Sequence, residues 1–231
     1  MNYLLLILAF IIPYSIVAQD LSGEELLNKS IEYHDPYNNW GKFNGTLSVT
    51  MDTPKASPRF SAIKIDLPND FFYLKSRRDT QETTYAIEKG KCSTSIKDST
   101  LMRRTPCETA VLYKNYYTYL YGLPMKLKDP GTQIEDEVVL KNFKGKEYLV
   151  LKVTYVETVG SDVWFFYFDP KSYAMEIYQF FKGDPASEGK DTGEYILLSE
   201  EQIINGIKMP KTRAWYYNKN DGYLGTDTLG E

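Results

Sequence analysis

Most of this sequence alternates apolar and polar side chains with the two-residue period of a β-strand. In residues 42–51, one face carries the apolar side chains Phe43, Leu47, Val49 and Met51. Similar segments, separated by short turn sequences, run from residue 42 to residue 88 and again from residue 133 to residue 217. This spacing predicts roughly ten antiparallel strands joined by short loops.

Two segments replace this alternation with helix signals. Ser22 and Glu25 form a capping box at the start of a short helix, which ends at the sequence His34-Asp35-Pro36. Residues 105–124 begin with a second capping box, Thr105 and Glu108, and end in glycine and proline. The sequence therefore predicts one helix before the strands and a longer one between two groups of strands.

The longer helix is rich in tyrosine, with five tyrosines between residues 113 and 121. Its polar positions adjoin on one side and are predicted to face water: Lys114, Asn115 and Thr118. The other side is predicted to pack on the sheet: Leu112, Tyr113, Tyr116, Tyr119 and Leu120.

A wide sheet tends to curl, and a helix against its concave face fills the opening. We therefore predict a mainly β protein with helices (α+β), built as a strongly curved antiparallel sheet or incomplete β-barrel lidded by helices. The sequence shows no fixed-period repeat and no linker long enough to divide it. Residues 19–231 are accordingly predicted to form a single domain.

The amino terminus resembles a secretory signal peptide. Residues 3–18 are apolar, and the small residue Ala18 precedes the polar pair Gln19-Asp20. The run is shorter than the ~20 residues of a membrane span. Residues 1–18 are therefore predicted to be a signal peptide of a periplasmic or secreted protein whose mature chain has no integral membrane span. Because no lysine or arginine precedes the run, an uncleaved anchor is the alternative, and the lack of a nearby cysteine argues against a lipid anchor.

Cys92 and Cys107 are the two cysteines of the chain. In an oxidising compartment they are expected to form a disulfide that ties a strand end to the first turn of the tyrosine-rich helix. Closing such a loop of about 16 residues stabilises a fold by roughly 3 kcal/mol in the entropic model. The alternative, a redox pair, lacks the C-x-x-C spacing.

Charge and motif content argue against several function classes. The net charge of −4 offers no basic surface for nucleic acid. His34, the single histidine, lies in a helix-stop sequence, so we predict a solvent-facing helix end rather than a catalytic group. The acidic run Glu135-Asp136-Glu137 is interpreted as solvated edge charge rather than a calcium site. With no nucleotide, hydrolase or zinc fingerprint, we expect no enzymatic activity, cofactor or metal.

Two late segments carry a family resemblance. The sequence VWFFYFDPKS at 163–172, followed by AMEI at 174–177, resembles the aromatic strand and D-P hairpin of outer-membrane lipoprotein carriers (LolA/LolB-like proteins). The sequence IINGIKMP at 203–210 resembles the N-G-x-K-x-P turn of the same group. The whole mature chain is similar to an uncharacterised exported bacterial family related to this fold.

This resemblance implies an incomplete β-barrel whose helices lid an apolar cavity, which in the carriers shelters acyl chains. The carriers also use an arginine inside the barrel on an early strand. Arg59 is the single arginine of the early strand region before Arg77 and Arg78. The resemblance does not align Arg59 with that position, so the role is not assigned to it.

The candidate ligand-binding residues lie on the tyrosine-rich helix and the aromatic strand: Tyr113, Tyr116, Tyr119, Leu120, Trp164 and Phe166. The alternative is that these side chains are ordinary core. We predict an exported carrier or sensor that binds a hydrophobic small molecule or acyl chain, as from a lipid or lipoprotein. The second hypothesis is a cell-envelope module with a solid core that binds a protein partner through its convex sheet face or the loop at 182–192.

Overall fold

The computed structural model describes residues 21–96, 104–187 and 189–230. The predicted signal peptide, residues 1–18, lies outside them. The described residues form helices α1 (Gly23–His34) and α2 (Pro106–Gly122), short 3₁₀ helices at Trp40–Lys42 and Met125–Lys128, and twelve strands. The strands are β1 (Asn44–Thr53), β2 (Ala56–Asp66), β3 (Phe71–Arg78), β4 (Gln81–Glu88), β5 (Lys91–Thr94), β6 (Thr132–Phe143), β7 (Lys146–Tyr155), β8 (Asp162–Phe168), β9 (Met175–Lys182), β10 (Glu194–Ile204), β11 (Ile207–Tyr217) and β12 (Tyr223–Leu229).

All twelve strands belong to one antiparallel sheet, in the order β5-β4-β3-β2-β1-β12-β11-β10-β9-β8-β7-β6. Strands β1 to β5 pair in sequence order in one half of the sheet, and strands β6 to β12 pair in sequence order in the other half. The pairing of β1 with β12, in which Val49 lies opposite Leu229, joins the two halves. Helix α2 connects β5 to β6, the two strands at the ends of this order.

The predicted antiparallel sheet is confirmed, but the estimate of roughly ten strands missed β5 and β12. Strand β5 has four residues, too few to show an alternating pattern. In β12, the buried positions are Gly225, Asp227 and Leu229. Because two of these three are not large apolar residues, the hydrophobic pattern that identifies a half-buried strand is missing.

Contacts of α2 show that the sheet curls around it. Tyr113 packs against Tyr85 of β4 with ring centroids 5.2 Å apart, and Tyr119 packs against Trp164 of β8 at 5.5 Å. In a flat sheet, the eight strand spacings between β4 and β8 would separate them by about 38 Å. The two tyrosines, six residues apart, are separated by about 9 Å along the helix. A single helix can reach both strands only because the sheet is strongly curved.

Local signals fix the start of α2. Thr105 accepts a hydrogen bond from the Glu108 amide, and the Glu108 carboxylate accepts one from the Thr105 amide, which completes the predicted capping box. Cys107 in the first turn is bonded to Cys92 of β5, as predicted, with sulfur atoms 2.06 Å apart.

Among the described helices, none has the length and apolar character of a membrane span.

Two predicted solvent-facing positions are buried. His34 is 1% exposed, because the end of α1 packs against strands β9 and β11, so the prediction of an exposed helix end was wrong. Thr118 is also buried, and its hydroxyl donates to the carbonyl of Lys114 one turn earlier. That internal hydrogen bond lets a polar side chain leave water at little cost. Asn115 is exposed and the acidic run at 135–137 is exposed on edge strand β6, as predicted.

Candidate functional site

An open cavity of about 840 Å³ lies between α2 and the strands around β8. Its lining is mainly apolar, and it includes residues from α2, from the segment 126–132 and from seven further strands. Leu112, Tyr116 and Val159 line the cavity and yet are 46%, 37% and 57% exposed. These exposed lining residues show that the cavity is open to solvent.

Four of the six predicted ligand-binding residues line this cavity: Tyr116, Tyr119, Leu120 and Trp164. The other two do not. Tyr113 packs between Tyr85 of β4 and Tyr117, with ring centroids at 5.2 and 6.1 Å. Phe166 is fully buried beside Trp164 in the core.

The predicted ligand-binding set did not include several residues of α2, the strands and the β7–β8 loop that line the cavity. The apolar and aromatic members of this group are Met51, Leu112, Tyr155, Val159, Phe180, Trp215 and Leu224. For Phe180 a signal was present, because Phe180 and Tyr178 share one strand face by alternation. Alternation identifies the face of each strand, but only the curvature of the sheet brings these strands to one cavity.

Ring packing fixes the aromatic wall of the cavity. Trp164 stacks on Phe180 with ring centroids 4.9 Å apart, and Tyr119 meets Trp164 edge-on at 5.5 Å. On the facing side, Tyr116 stacks on Trp215 at 6.4 Å. Stacked and edge-on aromatic pairs favour defined relative orientations, so these contacts position the rings of the wall.

The tyrosine hydroxyls add polar but uncharged groups to the wall. Tyr119 and Tyr155 share a hydrogen bond through their hydroxyls. Burial raises the pKa of Tyr155 to about 12 and raises the pKa of Tyr119 well above the ordinary tyrosine value. Both phenols therefore stay neutral near neutral pH.

Four of the lining residues are charged, and we call this group the rim: Lys126, Asp129, Asp162 and Glu194. Lys126 forms an ion pair with Asp129, three residues later in the chain. Asp162 and Glu194 also line the cavity, and burial raises the pKa values of both carboxyls, while nearby Lys182 acts in the opposite direction.

A second group of polar residues lies beneath α2 and outside the cavity. Arg213 of β11 is 1% exposed, and its guanidinium lies 4.1 Å from the ring centroid of Tyr121. It donates hydrogen bonds to the carbonyls of Pro210, at 3.1 Å, and Leu120, at 3.5 Å. Arg213 was not among the residues predicted from the sequence, although alternation places it on the same strand face as Trp215.

Arg59 also reaches α2 from the sheet. Its guanidinium donates to the hydroxyl of Tyr117 at 3.3 Å. Two arginines from different strands, Arg59 on β2 and Arg213 on β11, thus contact the underside of one helix.

The described residues contain no group of three His, Cys, Asp or Glu side chains that could hold a metal ion. Both ring nitrogens of His34 are hydrogen-bonded to main-chain groups of other strands.

Comparisons with known proteins agree with this architecture. The model of a family of unknown function, DUF6503, matches residues 2–231. The crystal structure of LolA superfamily protein NE2245 from Nitrosomonas europaea is similar with a TM-score of 0.55 and 8% sequence identity, over 91% of this chain and 92% of that one. A DUF1329 family protein from Desulfovibrio piger has a TM-score of 0.43 and 7% identity, over 90% and 91% of the two chains. No curated protein sequence matches. The resemblance to the lipoprotein carrier fold is confirmed as a likeness of fold.

Proposed function

We propose that this chain, which belongs to the family of unknown function DUF6503, is an exported carrier or sensor that binds a hydrophobic ligand in the cavity beneath α2. The open, aromatic-walled cavity of about 840 Å³ carries the proposal. Its volume lies within the range of roughly 300–1,000 Å³ common for small-molecule sites. The ligand class is an acyl chain, whether of a lipid or of a lipoprotein, and no covalent chemistry is involved.

Helix α2 serves as the lid of this cavity. Leu112, Tyr116, Tyr119 and Leu120 supply one wall, and the strands around Trp164 supply the other. The likeness to a LolA superfamily structure supports this arrangement at the level of fold. The disulfide and the apolar amino-terminal segment support export, because disulfides persist in oxidising compartments.

Affinity arises from removing acyl surface from water. Each buried methylene contributes ~0.8 kcal/mol, so two additional methylenes strengthen binding about tenfold until the cavity is filled. The alternative, a protein-binding module with a solid core, is less well supported because the core adjoins an open cavity.

The first test measures uptake of an uncharged fluorescent alkyl probe and its displacement by unlabelled alcohols of increasing chain length. Leu112→Glu introduces a charge into the lining and is expected to weaken binding about tenfold, since an acyl chain lying over the carboxylate would withdraw the charge from water. Val111→Glu is the matched control, because Val111 is equally exposed, at 46%, on the same helix but does not line the cavity. Protein that takes up no chain, or equal loss in both variants, contradicts the proposal.

A further inference from the structure

The charged residues of the cavity rim are unequal in number. Lys126, Asp129, Asp162 and Glu194 line the cavity, which gives one lysine against three carboxylates. Lys126 and Asp129 pair with each other and cancel. Two carboxylates, Asp162 and Glu194, therefore remain to face the cavity.

These two carboxylates stand at the same end of the sheet. Asp162 is the first residue of β8 and Glu194 is the first residue of β10, and the two strands flank β9. Across the ladder, Asp162 lies opposite Lys182 and Glu194 lies opposite Phe180. Because Phe180 stacks on Trp164, both carboxylates border the aromatic wall.

The protein itself does not fully compensate these charges. Lys182 is exposed and influences both carboxyls, but neither Asp162 nor Glu194 belongs to an ion pair of the described residues. Even with Lys182 counted, the rim holds three carboxylates and two lysines. Withdrawal from water raises the pKa values of both carboxyls, so a cation placed beside them would restore part of the lost solvation.

We propose that the cavity selects amphiphiles with a cationic, ammonium-type head group, which lies against Asp162 and Glu194 while the tail runs along Trp164, Phe180 and Trp215. This inference rests on the proposed function and specifies its ligand class. An ammonium group donates charge-assisted hydrogen bonds to carboxylates, and such bonds are roughly twice as strong as neutral ones. An anionic head at the same position meets like charge and is disfavoured.

The test compares three probes with the same tail: dodecylammonium, dodecanol and dodecanoate. Each is titrated at pH 7, below its solubility limit or micellar concentration, to displace the bound uncharged fluorescent probe. We expect dodecylammonium to bind at least tenfold more tightly than dodecanoate, with dodecanol between them. The double variant Asp162→Asn, Glu194→Gln is expected to lose this order. Glu147→Gln, an exposed carboxylate outside the lining, is the control and retains the order.

The outcomes separate the two proposals. Equal binding of the three probes, or tighter binding of dodecanoate to the wild-type protein, overturns the cationic preference and leaves the hydrophobic site intact. Binding of none of them overturns the proposed function itself. Methylammonium carries the charge without a tail, and displacement of the probe by methylammonium would also overturn the inference. If the double variant fails to fold, the order among the wild-type affinities still decides.

Discussion

At the scale of single residues, His34 connects the end of α1 to strands β9 and β11 through hydrogen bonds from both ring nitrogens. Its Nε2 accepts a hydrogen bond from the amide of Met175 at 3.0 Å. Its Nδ1 lies 2.8 Å from the carbonyl oxygen of Lys208, so it must carry the proton and donate. The ring is therefore neutral, and burial lowers its pKa below the ordinary value.

This arrangement predicts a pH-dependent stability. Because the folded-state pKa of His34 is depressed, its contribution is fully present above pH 6.5 and is lost as the pH falls through the lower pKa of the folded state. We expect the free energy of unfolding of the wild-type protein, measured in urea between pH 8 and pH 5, to fall more steeply than that of His34→Gln. At pH 8 the variant should be less stable by about 1–3 kcal/mol, since it leaves buried main-chain groups without partners. If the free energies of unfolding of the two proteins fall in parallel with decreasing pH, His34 does not contribute to the pH dependence of stability.

The same residue shows what local sequence can and cannot predict. The helix stop at His34 was predicted correctly, because proline two positions later acts on the adjoining backbone. Its burial was not, because the strand that covers it begins at Met175, 141 residues later in sequence. Arg213 was missed for a related reason. Arginine is rarely buried unless it is paired, so burial is predicted only where a partner can be identified. The partner of Arg213 on α2, the carbonyl of Leu120, is remote in sequence.

At the scale of elements, α2 is held at both ends. The disulfide anchors its first turn, and Trp40 closes its last. A β-carbon added at Gly122 would lie 2.3 Å from the Trp40 ring. The close approach of this indole to the helix backbone therefore requires glycine.

We expect Gly122→Ala to lower the free energy of unfolding by about 1–3 kcal/mol, the usual cost of overpacking a rigid contact. Gly41→Ala is the matched control, because a β-carbon there meets nothing within 4 Å. Urea unfolding followed by circular dichroism measures both. A Gly122→Ala protein as stable as the Gly41→Ala protein would show that Trp40 does not fix the end of α2.

Helix limits were predictable because caps are local. Thr105, Glu108 and Gly122 mark α2 in the sequence as they do in the structure. The lining of the cavity was predictable only in part. Helical periodicity places Tyr113 and Tyr116 on one face of α2. In the structure, however, Tyr113 packs against β4, whereas Tyr116 lines the open cavity. Which strand meets which turn of α2 depends on curvature, and no single segment encodes it.

At the scale of the whole molecule, one short strand unites the sheet. Strand β12 pairs with β1 on one side and with β11 on the other. Without it, the halves β1–β5 and β6–β11 would each present an unpaired strand edge. Such edges invite aggregation.

Deleting residues 223–231 is accordingly expected to abolish cooperative unfolding. Hydrogen exchange should show the loss of protection in β1 and β11, where the ladder partners disappear. A synthetic peptide of residues 221–231 added in excess should restore protection, and a scrambled peptide of the same composition should not. A truncated protein that unfolds as cooperatively as the full chain would contradict the central role of β12.

The position of β12 also sets an order of events during biosynthesis. Ribosomes deliver the chain from its amino terminus at about 5–20 residues per second. Almost 180 residues must therefore be added after β1 before this strand can pair fully with β12. The hairpins β1–β5 can form early, but the sheet cannot close until residue 229 has emerged. The two halves of the sheet thus stay unjoined until β12 has emerged, although neighbouring strands within each half can already pair.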